Sequence, residues 1–304
     1  MDNKTVLITG MHGFIGRHLA AALREAFHGV RVEGVDRAGR HESPDCRGLD
    51  LLEPECAVRV IGGVRPDYIF HLAGVVYSKD LRELYRGNVE TTVNILDAVK
   101  KAGLPARVVV AGSAAEYGDV SSEDLPISEK LVPNPASPYG VSKVWQTTVA
   151  RYYAQTGVDT VVGRLFNVIG QGAPEGLSIG AFAGQLKKIR RGDLPPELSV
   201  GNLKPRRDFI DVVDACRGLA AIAEKGRSGE IYNICSGSSV SMESVLGMMI
   251  EASGLEVRVA IDPARFKGAD AGDVRGSSAK ISSETGWQPS VPLLSSIAAM
   301  VGGF

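Results

Sequence analysis

Tyr139 and Lys143 stand four residues apart in the stretch Ser137-Pro138-Tyr139-Gly140-Val141-Ser142-Lys143. Proline suits the first turn of a helix, and an i,i+4 pair on that helix puts the phenol and the ammonium on one face, where both can act on one molecule. A free phenol has a pKa of about 10, so moving a proton near neutrality requires a shift of roughly 3 units, or about 4 kcal/mol of preferential phenolate stabilisation. A neighbouring ammonium supplies part of that. The spacing alone is also that of an ordinary surface helix, so its weight comes from the residues around it.

A second group of residues could hold an anion. Gly10-Met11-His12-Gly13-Phe14-Ile15-Gly16 follows the apolar run that ends at Thr9 and opens a helical pattern. Its glycines permit a tight turn and a close backbone approach to a pyrophosphate at the helix N-terminus, where amide donors and the macrodipole favour negative charge. Gly10, Gly13, Phe14, Ile15 and Gly16 are the expected contacts. Asp36 ends the second strand-like run at the distance where such a fingerprint places a carboxylate on the adenosine ribose. That acid would repel a 2′-phosphate and favours NAD(H), although it is also readable as a solvated turn acid. Arg37 beside it could hold the extra phosphate, which keeps NADP(H) open. Asp50 and Leu51, after the short segment Cys46 to Leu49, are placed to reach the adenine amine.

The elements that position these groups form an alternating series. Val6–Thr9, Val30–Val35, Tyr68–Leu72, Arg107–Ala111 and Thr160–Leu165 read as short strands separated by longer stretches of helical periodicity. The expected fold class is α/β: a Rossmann-type doubly wound parallel sheet with a smaller C-terminal α/β substrate domain. Residues 1–167 read as the dinucleotide-binding domain and 168–304 as the substrate-binding one. A segment at about 207–236, with a helix from Asp211 to Lys225 and a strand at Ile231–Cys235, is expected to return to the first.

Composition narrows the partners. A formal charge of −1 over 304 residues gives no broad field for nucleic acid or an anionic membrane, so phosphate binding must be local. The apolar run after Met1 is too short for a signal peptide and nothing approaches a membrane span, which points to the cytoplasm. Cys46, Cys56, Cys216 and Cys235 are scattered without metal-type spacing, so reduced thiols and no metal site are expected.

The glycine spacing, the run His71-Leu72-Ala73-Gly74 after a strand, Ser113 upstream of the tyrosine, and Tyr139 with Lys143 together resemble the extended short-chain dehydrogenase/reductases that modify nucleotide sugars. The resemblance spans nearly the whole chain. It implies that Tyr139 is the acid/base, that Lys143 holds the nicotinamide ribose and lowers the phenol's pKa, and that Ser113 bonds the reacting sugar oxygen. Leu72 and Ala73 would line the cofactor. Asn88 matches an asparagine that shapes the active-site helix, and its position at a helix start also suits a cap. A homodimer is implied, through helices including the one bearing Tyr139; Trp145, Val144, Val149 and Tyr153 could furnish that face or belong to the core.

The reaction is narrowed by Gly112-Ser113-Ala114-Ala115-Glu116-Tyr117-Gly118. Sugar 4,6-dehydratases that resemble this chain carry carboxylates one or two positions after the serine or threonine, to eliminate water. Ala114 and Ala115 stand there, and a methyl group cannot move a proton. What remains is one hydride transfer with one proton relay: a keto-sugar reductase or a 4-epimerase. The segments Arg164–Gly170, Val200–Leu203, Arg206–Val212 and Gly229–Gly237 resemble the GDP-sugar branch. They imply reduction of GDP-4-dehydro-6-deoxy-D-mannose to GDP-D-rhamnose, with Asn167 and Arg207 on the substrate diphosphate and Lys267 in place of an arginine there. The alternatives are a 4-epimerase with tightly bound NAD and a dinucleotide-sensing protein that lost its chemistry.

Overall fold

The computed structural model describes residues 1–37, 43–266 and 272–302. The first half runs β1 (Thr5–Thr9), α1 (Phe14–Ala26), β2 (Arg31–Asp36), β3 (Cys46–Gly48), α2 (Pro54–Val64) and β4 (Tyr68–His71). It continues with a short α3 (Leu81–Leu84), a π-helical turn (Tyr85–Glu90), α4 (Thr91–Ala102), β5 (Arg107–Ser113), α5 (Pro138–Gln155) and β6 (Thr160–Leu165). The second half has β7 (Asn167–Ile169), α6 (Ser178–Arg190), β8 (Glu197–Val200), β9 (Arg206–Asp211), α7 (Val212–Lys225) and β10 (Ile231–Ile234). It ends with β11 (Ser239–Ser241), α8 (Met242–Ser253), β12 (Arg258–Ile261), β13 (Asp273–Val274), α9 (Ala279–Thr285) and α10 (Leu293–Gly302).

Seven strands make one parallel sheet in the order β10-β6-β5-β4-β1-β2-β3. Val6, Leu7 and Ile8 on β1 and Val108, Val109 and Val110 on β5 are fully buried. Such unbroken apolar runs are what a parallel sheet covered on both faces needs. The covering helices are amphipathic: α2 buries Ala57, Val60, Ile61 and Val64, the i, i+3, i+4, i+7 stripe of one helical face. The fold is therefore the doubly wound α/β class expected. Chain order reverses between β1 and β4, so the crevice lies beyond the carboxyl ends of those strands, where this topology binds ligands.

A smaller sheet, β11-β9-β13 with β7 also on β9, and the pair β12-β8 form the other lobe. Phe182 and Leu186 of α6, Val245 and Met249 of α8 and Ile297 of α10 form its core. Within 207–236, β9 pairs in the smaller sheet, while β10 pairs with β6 and α7 packs against α1.

Candidate active site

Gly10 sits at φ +70°, and a Cβ on it would meet the amide nitrogen of Ala73 at 2.9 Å, so the glycine turn lies directly against the chain leaving β4. A Cβ on Gly16 would meet the Gly10 carbonyl at 2.2 Å, which fixes α1 close to that turn. Gly13 caps α1 without a side-chain hydrogen bond, leaving first-turn amides for an anion. Phe14 and Ile15 are half-buried there, Phe14 edge-on to His18 at 5.5 Å between centroids. Asp36 accepts hydrogen bonds from the amides of His12 (3.0 Å) and Arg37 (2.8 Å), so it braces the turn from the end of β2. Arg37 is exposed beside it. Asp50 is exposed and accepts from the Leu52 amide, whereas the Leu51 side chain is in the core and its carbonyl accepts from Asn94. Leu72 and Ala73 are half-buried at the crevice floor.

Across the crevice, Ser113 ends β5, where it pairs with Leu165 of β6. The tyrosine helix begins as its sequence requires: the Ser137 hydroxyl accepts from the Gly140 amide and Pro138 occupies the first turn. A Cβ on Gly140 would meet the Ala115 carbonyl oxygen at 2.4 Å, so the missing side chain lets α5 press against the turn after Ser113. This contact sets Ser113 beside the Tyr139 phenol, close enough for the hydroxyl to pull the phenol's pKa down.

Lys143 is buried one helical turn on, with its ammonium 5.8 Å from the Tyr139 ring centroid. It donates to the Ala111 carbonyl (2.7 Å) and to Gln146 Oε1 (2.6 Å). Burial pushes the Tyr139 phenol up to about 12, against the opposing Ser113 hydrogen bond, and Glu116 adds to the rise. Burial also lowers the Lys143 ammonium to about 8, with Glu116 pulling the other way. Burial therefore favours the phenol as the protonated acid.

Glu116 lies beside Ser113 but is fully engaged by other partners there. It is fully buried, pairs with Arg164 at 2.8 Å, and accepts from the Ser113 amide at 2.9 Å in a capping box. Asn88 is likewise not a helix cap. The π-helical turn carries it inward, where Nδ2 donates to the Val75 carbonyl and Ser142 Oγ, and Oδ1 accepts from the Val75 amide. Ser142 in turn donates to the Tyr139 carbonyl, so Asn88 does hold the tyrosine helix.

The expected substrate contacts lie on the other lobe's side. Asn167 starts β7, two residues beyond the position paired with Ser113, and its amide donates to the Asp208 carbonyl at 3.0 Å. Arg207, on β9, donates to the Arg206 carbonyl. The fully buried Asp208 carboxylate accepts from Ser236, Gly237 and Gly276, tying the loops that frame this lobe. Lys267 lies outside the described residues. Among the described residues there is no cluster of His, Cys, Asp and Glu that could hold a metal, the four cysteines are free thiols, and no helix is long and apolar enough to cross a membrane.

A sequence model of the NAD dependent epimerase/dehydratase family matches residues 6–235, which include every element of this crevice. The chain belongs to that family. It is thus an NAD(P)-dependent enzyme, an oxidoreductase or epimerase, and the glycine turn, its bare cap, Asp36 and Lys143 are groups that fit a dinucleotide. It is similar to GDP-6-deoxy-D-mannose reductase of Pseudomonas aeruginosa, 31% identical over 97% of this chain and 95% of that protein. It is also similar to UDP-glucose 4-epimerase of Azospirillum brasilense, 31% identical over 93% of this chain and 87% of the other. Among solved structures, RMD from Pseudomonas aeruginosa complexed with NADPH superposes with a TM-score of 0.88 at 30% identity, covering 98% of both chains.

Three residues and one pair of the site are not legible in the sequence: His71 as a polar group, Thr92, Gln146, and Glu116 with Arg164 as a unit. Gln146 alone carried a local signal, since it follows Lys143 by three residues on the same helical face.

Proposed function

We propose that this protein reduces the keto group of a nucleotide-linked 4-keto-6-deoxy hexose with NADH or NADPH, converting GDP-4-dehydro-6-deoxy-D-mannose to GDP-D-rhamnose. The observation that carries the reading is that Ser113 and Tyr139 lie together while Glu116, a carboxylate beside them, is already engaged by Arg164. Elimination of water needs a second acid or base; reduction does not. The reductase of Pseudomonas aeruginosa, similar over nearly the full chain, supports the GDP-linked substrate.

The bound dinucleotide supplies the hydride. Tyr139 donates its proton to the oxygen of the former carbonyl, which balances that hydride and leaves an alcohol. Ser113 holds the same oxygen, and Lys143 stabilises the phenolate left behind. A phenol that keeps its proton to about 12 starts in the state a reduction requires. Asn167, Arg207 and Lys267 are assigned to the diphosphate, with the guanidinium as a two-pronged donor. Residues 1–167 with α7 and β10 act as the dinucleotide domain, and most of 168–304 as the sugar-nucleotide domain. We assign a homodimer to the exposed apolar face of Tyr85 (45% exposed), Trp145 (40%) and Tyr152 (61%), whereas Tyr153 belongs to the core.

The test is turnover of the GDP-linked keto sugar with added NADH or NADPH, followed by near-ultraviolet absorbance. Tyr139→Phe is expected to bind dinucleotide normally and to turn over about a hundred-fold more slowly. Unchanged turnover in that variant removes the role given to Tyr139. A second reading, a 4-epimerase, is favoured by the equal identity to the Azospirillum enzyme. Cofactor that stays bound through purification, with hexose interconversion and no consumption of added reductant, would select it.

A further inference from the structure

Lys143 carries three N–H bonds, and this structure assigns two of them inside the protein, to Ala111 O and Gln146 Oε1. The geometry points to Gln146 as the positioning residue of Lys143: a fixed, uncharged acceptor that aims the remaining N–H into the crevice and sets how firmly the amine holds its proton. The inference rests on the reading of Lys143 as the ribose-binding lysine.

Gln146 can play this part because its own orientation is dictated from behind. Its Nε2 donates to Thr92 Oγ1 at 2.8 Å, and the Thr92 hydroxyl donates its one proton to the Asn88 carbonyl at 2.6 Å. Thr92 Oγ1 therefore acts as acceptor toward its other neighbour, His71 Nε2 at 3.0 Å, which fixes the proton of His71 on Nε2. His71 Nδ1 then accepts from the Thr9 hydroxyl at 2.8 Å, and Thr9 Oγ1 accepts from the Ala73 amide at 3.2 Å. Every member is buried: Thr9, Thr92 and Gln146 are fully so, and His71 is 1% exposed. A flip of the Gln146 amide would turn an N–H toward the ammonium and leave two donors facing each other in a buried site, which costs several hydrogen-bond equivalents. The amide oxygen is thus locked toward the lysine, at the end of a chain whose bonds start at the residue before the glycine turn.

The charged and titratable groups around the ammonium are few. Tyr139 faces it from its own helix, Glu116 acts on it from the turn after β5, and His71 lies behind Gln146 from β4. A near-isosteric change at 146 therefore alters the ammonium's surroundings by one identifiable charge or one hydrogen bond.

The experiment titrates Lys143 itself, by NMR of lysine labelled with carbon-13 at Cε, with Lys143→Met identifying the resonance. The wild-type amine should titrate near 8. Gln146→Glu places a carboxylate at hydrogen-bond distance and should raise that value by at least about one unit, whereas Gln146→Met removes the acceptor and should lower it by about half a unit or more. Loss of packing alone cannot move the two variants in opposite directions. Should either fail to fold, Thr92→Val frees the amide behind and should lower the value as Gln146→Met does. Values equal to wild type in the folded variants overturn the proposal. Because the titration needs no substrate, failure of the protein to reduce a keto sugar leaves this test standing, and the basic limb of any turnover should follow the same two shifts.

Discussion

Gly140 and the carbonyl of Ala115 approach so closely that a single methyl group would not fit, the missing Cβ lying 2.4 Å from that oxygen. The helix that carries Tyr139 and the turn that carries Ser113 are thus spaced by the absence of a side chain. Gly140→Ala must push them apart by a substantial fraction of an ångström. A misplacement of that order costs about a hundred-fold in rate. We expect kcat to fall by about that factor while dinucleotide affinity stays within a few-fold. Gly62→Ala, on α2 with nothing within 4 Å of the new Cβ, is the control and should leave kcat unchanged. A Gly140→Ala enzyme with wild-type kcat would show that the spacing is not limiting.

Arg164 is 3% exposed at its side chain and its partner Glu116 is fully buried. Removing one member of such a pair leaves an uncompensated charge, at a cost of about 3–5 kcal/mol. Arg164→Met should therefore destabilise strongly in urea unfolding, and the double variant with Glu116→Gln should recover a large part of the loss. If the double variant is no more stable than Arg164→Met, the carboxylate is not what the arginine compensates.

His71 makes stability depend on acidity. Burial, helped by the nearby Lys143 ammonium, pushes its imidazole down to about 3, from an ordinary value of 6.5. Between those values the unfolded chain takes up a proton that the folded one refuses, so stability falls as pH drops through 6.5, by up to about 1.4 kcal/mol per pH unit. From pH 7 to pH 5 this contribution is about 2 kcal/mol. His71→Asn should lose less stability than wild type over that interval by about this amount, read from urea midpoints at the two pH values. Equal losses would mean that His71 is protonated in the folded protein.

Tyr85 and Trp145 meet edge-on, with centroids 5.9 Å apart, on an exposed part of α5 and the π-helical turn. If that face joins two copies, Trp145→Lys should shift the mass measured by light scattering from dimer to monomer. A monomeric wild-type protein at tens of micromolar would sink the assignment.

Much of this site was legible where chemistry is written in local spacing. The glycine turn, Tyr139 with Lys143, and the strand that ends at Ser113 each depend on residues within one or two turns of chain. The supporting contacts are of another kind. Thr92 and Gln146 are 54 positions apart and Glu116 and Arg164 are 48, and nothing in either local stretch names its partner. Of the two readings of Asn88, the helix-shaping one stands and the cap fails for a different reason: a pattern at 3.6 residues per turn has no place for a wider turn. Nor does the pair Asp50-Leu51 announce that the second side chain is buried in the core while the first is exposed.

The wider turn at Tyr85–Glu90 has an unusual consequence. It accommodates an extra residue relative to a regular helix, and that surplus is what swings Asn88 toward Ser142. Assembly of the catalytic helix is accordingly sensitive to the length of a segment that touches no reactant. A one-residue deletion there would preserve every functional side chain and still disconnect the scaffold behind Tyr139.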